Sequence, residues 1–176
     1  MRYVSVGVYL LFLSNAAAAQ DVARPSHVRA ESIDVRQLIA ETAQRSTTFR
    51  SLVEEIDRSS VIVYVRVRLL ASQALDGRTG LLGARFGTRY LAIELACPRS
   101  RDTQMATLAH ELQHALEIAD ASWVVDAPTL ARHYQRIGIA LDDTPGGATF
   151  ETDAAQAIGA RVRHELHLDT MTAERR

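Results

Sequence analysis

The stretch Thr107-Leu-Ala-His110-Glu111-Leu-Gln-His114-Ala-Leu-Glu117 constrains this chain more than any other, because its apolar residues recur with the period of an α-helix. At about 100° per residue, His114 lies roughly 40° round from His110 and one turn along, so both imidazoles look the same way. Glu111 falls about 60° beyond His114, on the neighbouring edge of that face. Met105, Leu108, Ala109, Leu112, Ala115 and Leu116 occupy the opposite arc. One side of such a helix packs into a core while the other holds its polar groups rigidly. Two histidines at i and i+4 with a glutamate between them are the residue types of a zinc site: the imidazoles ligate Zn2+ and the carboxylate moves protons.

The beginning of the chain reads differently. Arg2 is followed by the apolar run Val4 to Leu13, broken only by Ser5 and Gly7, and then by Ala16 to Ala19. That order of charge, apolar stretch and small residues is a secretory signal peptide spanning residues 1–19, cut after Ala19. The run is short for a transmembrane span and no second one follows, so the mature chain is expected to be secreted or periplasmic, with no membrane span. About 157 residues then remain, enough for one domain with a real core. Twenty basic and twenty-one acidic residues leave a formal charge of -1 without a basic block, which speaks against nucleic acid as a partner. The single cysteine, Cys97, cannot close an internal disulfide, and its apolar surroundings suggest a buried small hydrophobe.

Residues 20–31, with Pro25, read as a loose leader, and residues 32–170 as a single domain. Ser32 or Asp34 can cap a first helix through Val35 and Leu38, and Phe49 to Ile56 continue at helical spacing. Val61 to Leu70, Leu81 to Phe86 and Arg89 to Leu95 read as strands, with turn signals at Asp76-Gly77 and Thr79-Gly80. Three short strands feeding the motif helix predict an α+β fold with a small antiparallel sheet packed on helices. Asp102 is placed to cap the motif helix, and Asp126 to cap the next, which Gly138 ends. Asp142 to Gly147 reads as a loop, and Thr149 as the cap of a last helix from Phe150 to about Leu166.

Two histidines leave zinc short of the three protein ligands usual in catalytic sites. On the last helix Glu151 falls in the middle of an apolar arc made by Ala154, Ala155, Ile158, Val162 and Leu166. A carboxylate there is costly unless paired or bound to metal, which makes Glu151 the first choice of third ligand. Asp120, six residues after His114, and Glu117, on the histidine face, are its rivals. Asp120 points about 120° away if the helix continues, and Glu117 suits a group behind the ligands better than a ligand.

A helix-borne His110-Glu-x-x-His114 after a short sheet, followed by Glu151, resembles the zincin superfamily of metallopeptidases, and its gluzincin branch most. The specific match covers His110 to His114 and Glu151. The resemblance implies a zincin-like domain in which His110, His114 and Glu151 bind zinc and Glu111 is the general base and acid of peptide hydrolysis. It also implies that Arg89 to Leu95 borders the cleft and holds an extended peptide by strand addition. His133 and Tyr134 are of the right chemical type to stabilise a transition state, although Tyr134 also lies on an apolar stripe; His27, His164 and His167 read as solvated. Two other readings compete with an exported zinc metallopeptidase acting on a peptide or protein. One is an exported metal-binding module that keeps the zincin-like shell without turnover; the other is an interaction domain in which the histidines bind nothing.

Overall fold

Val61, Val63 and Val65 alternate with Ile62, Tyr64 and Arg66, and β-branched residues at period two specify a strand with one face in a core. In the computed structural model, which describes residues 25–72, 74–144 and 147–173, those three valines are fully buried. They belong to β2 (Val61–Arg68), one of four strands in a sheet. The others are β1 (Val28–Ala30), β3 (Gly77–Arg85) and β4 (Thr88–Ala96), in the order β1-β2-β4-β3. Residues 1–19, read as a signal peptide, lie outside the described residues.

The fold is α+β, and its sheet is mixed rather than antiparallel: β1 and β4 both run parallel to β2, and only β3 runs antiparallel to its neighbour. Three readings of the sequence are corrected with it. Val28–Ala30, placed in a loose leader, pairs with Val63 to Val65 as β1. The Gly77 and Gly80 signals fall inside β3, which starts four residues before the expected strand, and β4 is an interior strand, so β3 carries the exposed edge beside the motif helix.

Leu91, Ile93 and Leu95 of β4 join the three valines on the face that meets the helices. Helix α1 (Ile33–Arg45), capped by Ser32, and α2 (Thr47–Arg58), capped by Ser46, pack there beside the long helix α3 (Arg101–Asp120). Ser100, not Asp102, caps α3: its hydroxyl accepts from the Thr103 amide at 3.2 Å, and the helix gains residues at both ends of the expected span. The far end of α3 is closed by Arg89 of β4. Its buried guanidinium donates to the carbonyls of Ile118 (2.6 Å), Ala121 (2.8 Å) and Ala119 (3.0 Å), and to Ser60 Oγ (2.5 Å).

Helix α4 (Ala127–Ile137) starts in a capping box made by Asp126 and Thr129. Of the segment read as a loop from Asp142 to Gly147, Asp142 to Thr144 belong instead to β5 (Ile139–Thr144) and Gly147 to β6 (Gly147–Glu151), which pair as a hairpin, while residues 145 and 146 lie outside the described residues. The last helix, α5 (Asp153–Ala173), therefore begins later than expected, with Thr152 in place of Thr149 at its start: Thr152 Oγ1 accepts from the Ala155 amide at 3.1 Å. It packs along α3. Arg45 ties the bundle together by donating to Asp102 on α3 (3.0 Å) and to Asp169 (2.9 Å) and the Leu166 carbonyl (3.2 Å) on α5. Glu165 of α5 accepts from Ser46 Oγ (2.5 Å) and Thr48 Oγ1 (2.6 Å) at the start of α2.

On the outer face of the sheet Arg66, Glu94 and Arg78 stand in register across three strands. Glu94 pairs with Arg66 at 2.7 Å and with Arg78 more closely still. Burial would raise its pKa, but the hydrogen bonds and charges of the two arginines prevail and hold it below the usual carboxylate value. None of the described helices is long and apolar enough to cross a membrane. Cys97 is half-buried, and His27, expected to be solvated, hydrogen-bonds the Ile56 carbonyl through Nδ1 at 3.2 Å.

Replacing Arg89 by Met keeps most of the packed stem but strands the carbonyls it serves. We expect Arg89→Met to lose about 2–3 kcal/mol in urea unfolding, in line with the cost of leaving buried polar groups unsatisfied; a loss within error would show that water serves them equally well. Because the Glu94 pKa is lower folded than unfolded, its stabilisation is present above the ordinary carboxylate range and is lost as pH falls through the folded value. Acid unfolding of Glu94→Gln, compared with wild type by circular dichroism, should show a shallower decline over that window.

Candidate metal centre

The apolar residues of α3 decide where its polar face points. Met105, Leu108, Ala109, Leu112 and Ala115 are completely buried against the sheet and helices α1 and α2, so His110 and His114 are turned toward α5 and the β5–β6 hairpin. There they meet Glu151. His110 Nε2 lies 3.2 Å and His114 Nε2 3.5 Å from the same oxygen, Glu151 Oε1. The three side chains form a group that could hold a metal ion, with one donor atom from each and all three atoms within 4.8 Å of one another. The two imidazoles meet edge to face, their centres 4.9 Å apart.

Glu151 reaches this position by a route the sequence did not suggest. It is the last residue of β6 and not part of a helix, so the apolar arc from which it was inferred does not include it. The hairpin brings the chain back from α4, and Thr152 fixes the junction: its amide donates to Glu151 Oε1 (2.8 Å) and its hydroxyl to Glu117 Oε1 (2.7 Å). Of the two rivals, Asp120 ends α3 and is not in the group.

Glu117 stands behind His114. Its Oε2 accepts a hydrogen bond from His114 Nδ1 at 2.8 Å, so that Nε2 is the ring nitrogen facing Glu151. Burial opposes ionisation of Glu117, but the hydrogen bonds from His114 and Thr152 outweigh it and keep its pKa low. For His114 burial would favour the neutral ring, yet the Glu117 hydrogen bond and the charges of Glu111, Glu117 and Glu151 raise its pKa. His110 is shifted the other way by burial, with Glu151 opposing and His114 assisting.

Glu111 lies on the β3 side of the same helix face and is only 5% exposed. Burial pushes its pKa up to about 7, against the pull of His114 and of a hydrogen bond from Thr79. Thr79 Oγ1 donates to Glu111 Oε2 at 2.7 Å from near the start of β3. A carboxyl with this pKa exchanges its proton near neutrality, which is what acid–base work requires. The neighbouring Gly77 has no room for a side chain: a Cβ there would lie 2.6 Å from Thr107 Cγ2 and 3.1 Å from Glu111 Oε1. Gly159 of α5 plays a similar part under His110, where a Cβ would lie 3.2 Å from the His110 Cβ.

A groove of about 910 Å³ passes the group, with β3 on one side and α4, the hairpin and α5 on the other. Tyr134 forms part of its wall, stacked on Phe150 and edge-on to His114. Its hydroxyl is engaged in donating to the His114 carbonyl at 3.1 Å, and burial holds its pKa far above the ordinary phenol value. His133 turns away from the groove and packs edge-on against Trp123. The two residues considered as transition-state donors are thus parts of the support of α3. Thr79, Thr152, Gly77 and Gly159 were missed by sequence reasoning, since each matters through a contact made across the fold.

No family model matches the chain, and neither a curated protein nor a solved structure shows significant similarity to it.

Exchanging Glu117 for Gln keeps the shape but weakens the acceptor that orients His114. Metal affinity of Glu117→Gln, measured by competition with a chromogenic chelator, should fall about ten- to a hundredfold, the range typical of lost outer partners of ligating histidines. An unchanged affinity would show that the hydrogen bond to His114 has no bearing on metal binding.

Proposed function

We propose that the protein is an exported zinc-dependent peptidase in which His110, His114 and Glu151 bind the metal and Glu111 is the general base and acid. The observation that carries this reading is the position of Glu111: one helical step from the first histidine, buried, held by Thr79, and with a pKa of about 7. Two imidazoles and one carboxylate are a donor set suited to zinc, and three protein ligands leave a coordination position open for catalysis. Zinc bound there supplies Lewis acidity, polarising a carbonyl and acidifying water.

Glu111 accepts the proton of the attacking water and returns it to the leaving amine, and the Thr79 hydroxyl keeps its carboxylate aimed while it does so. The hydrogen bond from His114 to Glu117 holds the imidazole in the tautomer that ligates through Nε2. The β3 edge, lying along the groove with no further strand beside it among the described residues, accepts an extended peptide by strand addition and so brings a backbone carbonyl to the centre. That edge replaces β4, which is paired on both sides. Export is read from Met1 to Ala19, and the cut after Ala19 gives the mature chain.

The test begins with metal content of the mature protein purified without chelator or metal-binding tag. About one zinc per chain is expected, with loss in His114→Ala and weaker retention in Glu151→Ala. The zinc protein should then cleave members of a mixed peptide library followed by mass spectrometry, and Glu111→Gln should abolish cleavage with the zinc still bound. Zinc retention without cleavage of any peptide would favour a binding module over an enzyme, and a wild type that takes up no zinc would end both readings.

A further inference from the structure

The groove is not chemically uniform along its length. Helices α3 and α5 run antiparallel, as shown by Thr152 beside Glu117 at one end and by Arg45 bridging Asp102 to Leu166 at the other. The groove therefore has an end at the His114 half of α3 and an end at the Ala106 half. At the first, Leu82 of β3, Leu130 of α4, and Leu141 and Phe150 of the hairpin form the walls. Leu82 and Leu141 are 58% and 44% exposed, large apolar side chains that the core does not use.

The Ala106 end is different. Arg163 of α5 lines it, exposed and without an ion pair or side-chain hydrogen bond to any described residue. Arg78 and Arg66 line its β3 side and share the carboxylate of Glu94, so among the described residues one guanidinium charge is uncompensated. Asp76, the other acid at this end, is paired with Arg99 at 2.6 Å. The local balance is positive on both faces of β3, with Arg163 on the helix face and Arg78 on the outer face.

We infer that the groove selects an extended peptide with apolar residues on the N-terminal side of the scissile bond and acidic residues just after it, read by the Leu82–Leu141 end and the Arg163–Arg78 end respectively. The inference rests on the peptide reading of the site given above. The polarity follows from strand pairing: antiparallel addition is the more stable, and β3 runs from the arginine end toward the leucine end, so the peptide runs from leucine to arginine. Successive side chains of the peptide alternate between the faces of the sheet, so two consecutive acids meet Arg163 and Arg78 in turn.

Binding tests this apart from turnover. Zinc-loaded Glu111→Gln protein is titrated with short fluorescent peptides that carry Leu-Ala followed by Glu-Glu, Gln-Gln or Lys-Lys, and anisotropy is read. The Glu-Glu peptide should bind roughly fivefold tighter than the Gln-Gln peptide, the scale of one exposed ion pair, with Lys-Lys weakest and the differences shrinking as salt is raised. Adding Arg163→Glu should reverse the order of Glu-Glu and Lys-Lys, and placing the acids before Leu-Ala should remove the advantage.

Equal affinities, no binding by any of the peptides, or an order unmoved by Arg163→Glu would overturn the inference. Wild-type protein offered the same peptides separates it from the peptidase reading. The binding order without cleavage would sink the peptidase and leave the groove assignment standing, whereas cleavage indifferent to charge would do the opposite.

Discussion

Everything at the candidate centre depends on how α3 is held between the sheet and α5. Its apolar face fixes rotation about the helix axis, since turning His110 out of the groove would turn Leu108 and Leu112 out of the core. Its ends fix position along the axis: Ser100 satisfies an amide at the start, and Arg89 satisfies three carbonyls at the finish. A guanidinium at a helix C-terminus also meets the negative end of the helix dipole. Arg89 comes from β4, so the strand beneath α3 both supplies its floor and sets how far it can slide. Histidines on such a helix are arranged before any ligand arrives.

The second half of the donor set arrives on a less secure element. An isolated two-stranded hairpin has little stability of its own, and Glu151 stands at the end of one. What steadies it is a chain of contacts into α3: Thr152 bonded to Glu117, Glu117 to His114, and Phe150 stacked on Tyr134. Tyr134 in turn donates to the His114 carbonyl. The same residues that orient His114 therefore locate Glu151, so ligand orientation and hairpin placement are a single packing problem.

Much of this was legible in the sequence, and the parts that were not share a cause. His110, Glu111 and His114 followed from helical periodicity, a local property that the tertiary structure had only to preserve. The cost of a carboxylate on an apolar helix face points to Glu151, yet Glu151 sits at the end of a strand, where no helix face surrounds it. Gly77 and Gly80 read as turns because glycine punctuates chains, whereas here they belong to an edge strand, and at Gly77 the missing side chain makes room for Thr107 and Glu111. Parallel pairing of β1 and β4 with β2 joins residues distant in sequence, and no local pattern records it. Thr79 carried no signal at all, since a threonine in a strand is ordinary until a buried carboxylate faces it.

Charge gives the group its chemical character. Glu111, Glu117 and Glu151 converge on two imidazoles, and among the described residues no arginine makes an ion pair with any of the three. The protein compensates in part with hydrogen bonds: Thr79 for Glu111, His114 and Thr152 for Glu117, the Thr152 amide for Glu151. Neutral donors lower the cost of burying a carboxylate but supply no opposite charge. The alternatives left are protons, as the raised pKa values of Glu111 and His114 indicate, or a cation placed among the Nε2 and Oε1 atoms that face one another. A divalent ion there would answer the field of all three carboxylates at once and displace protons from the histidines. Glu111, close enough to feel that ion but turned toward Thr79, would then lose its proton more readily than in the metal-free protein, which is the change a general base needs.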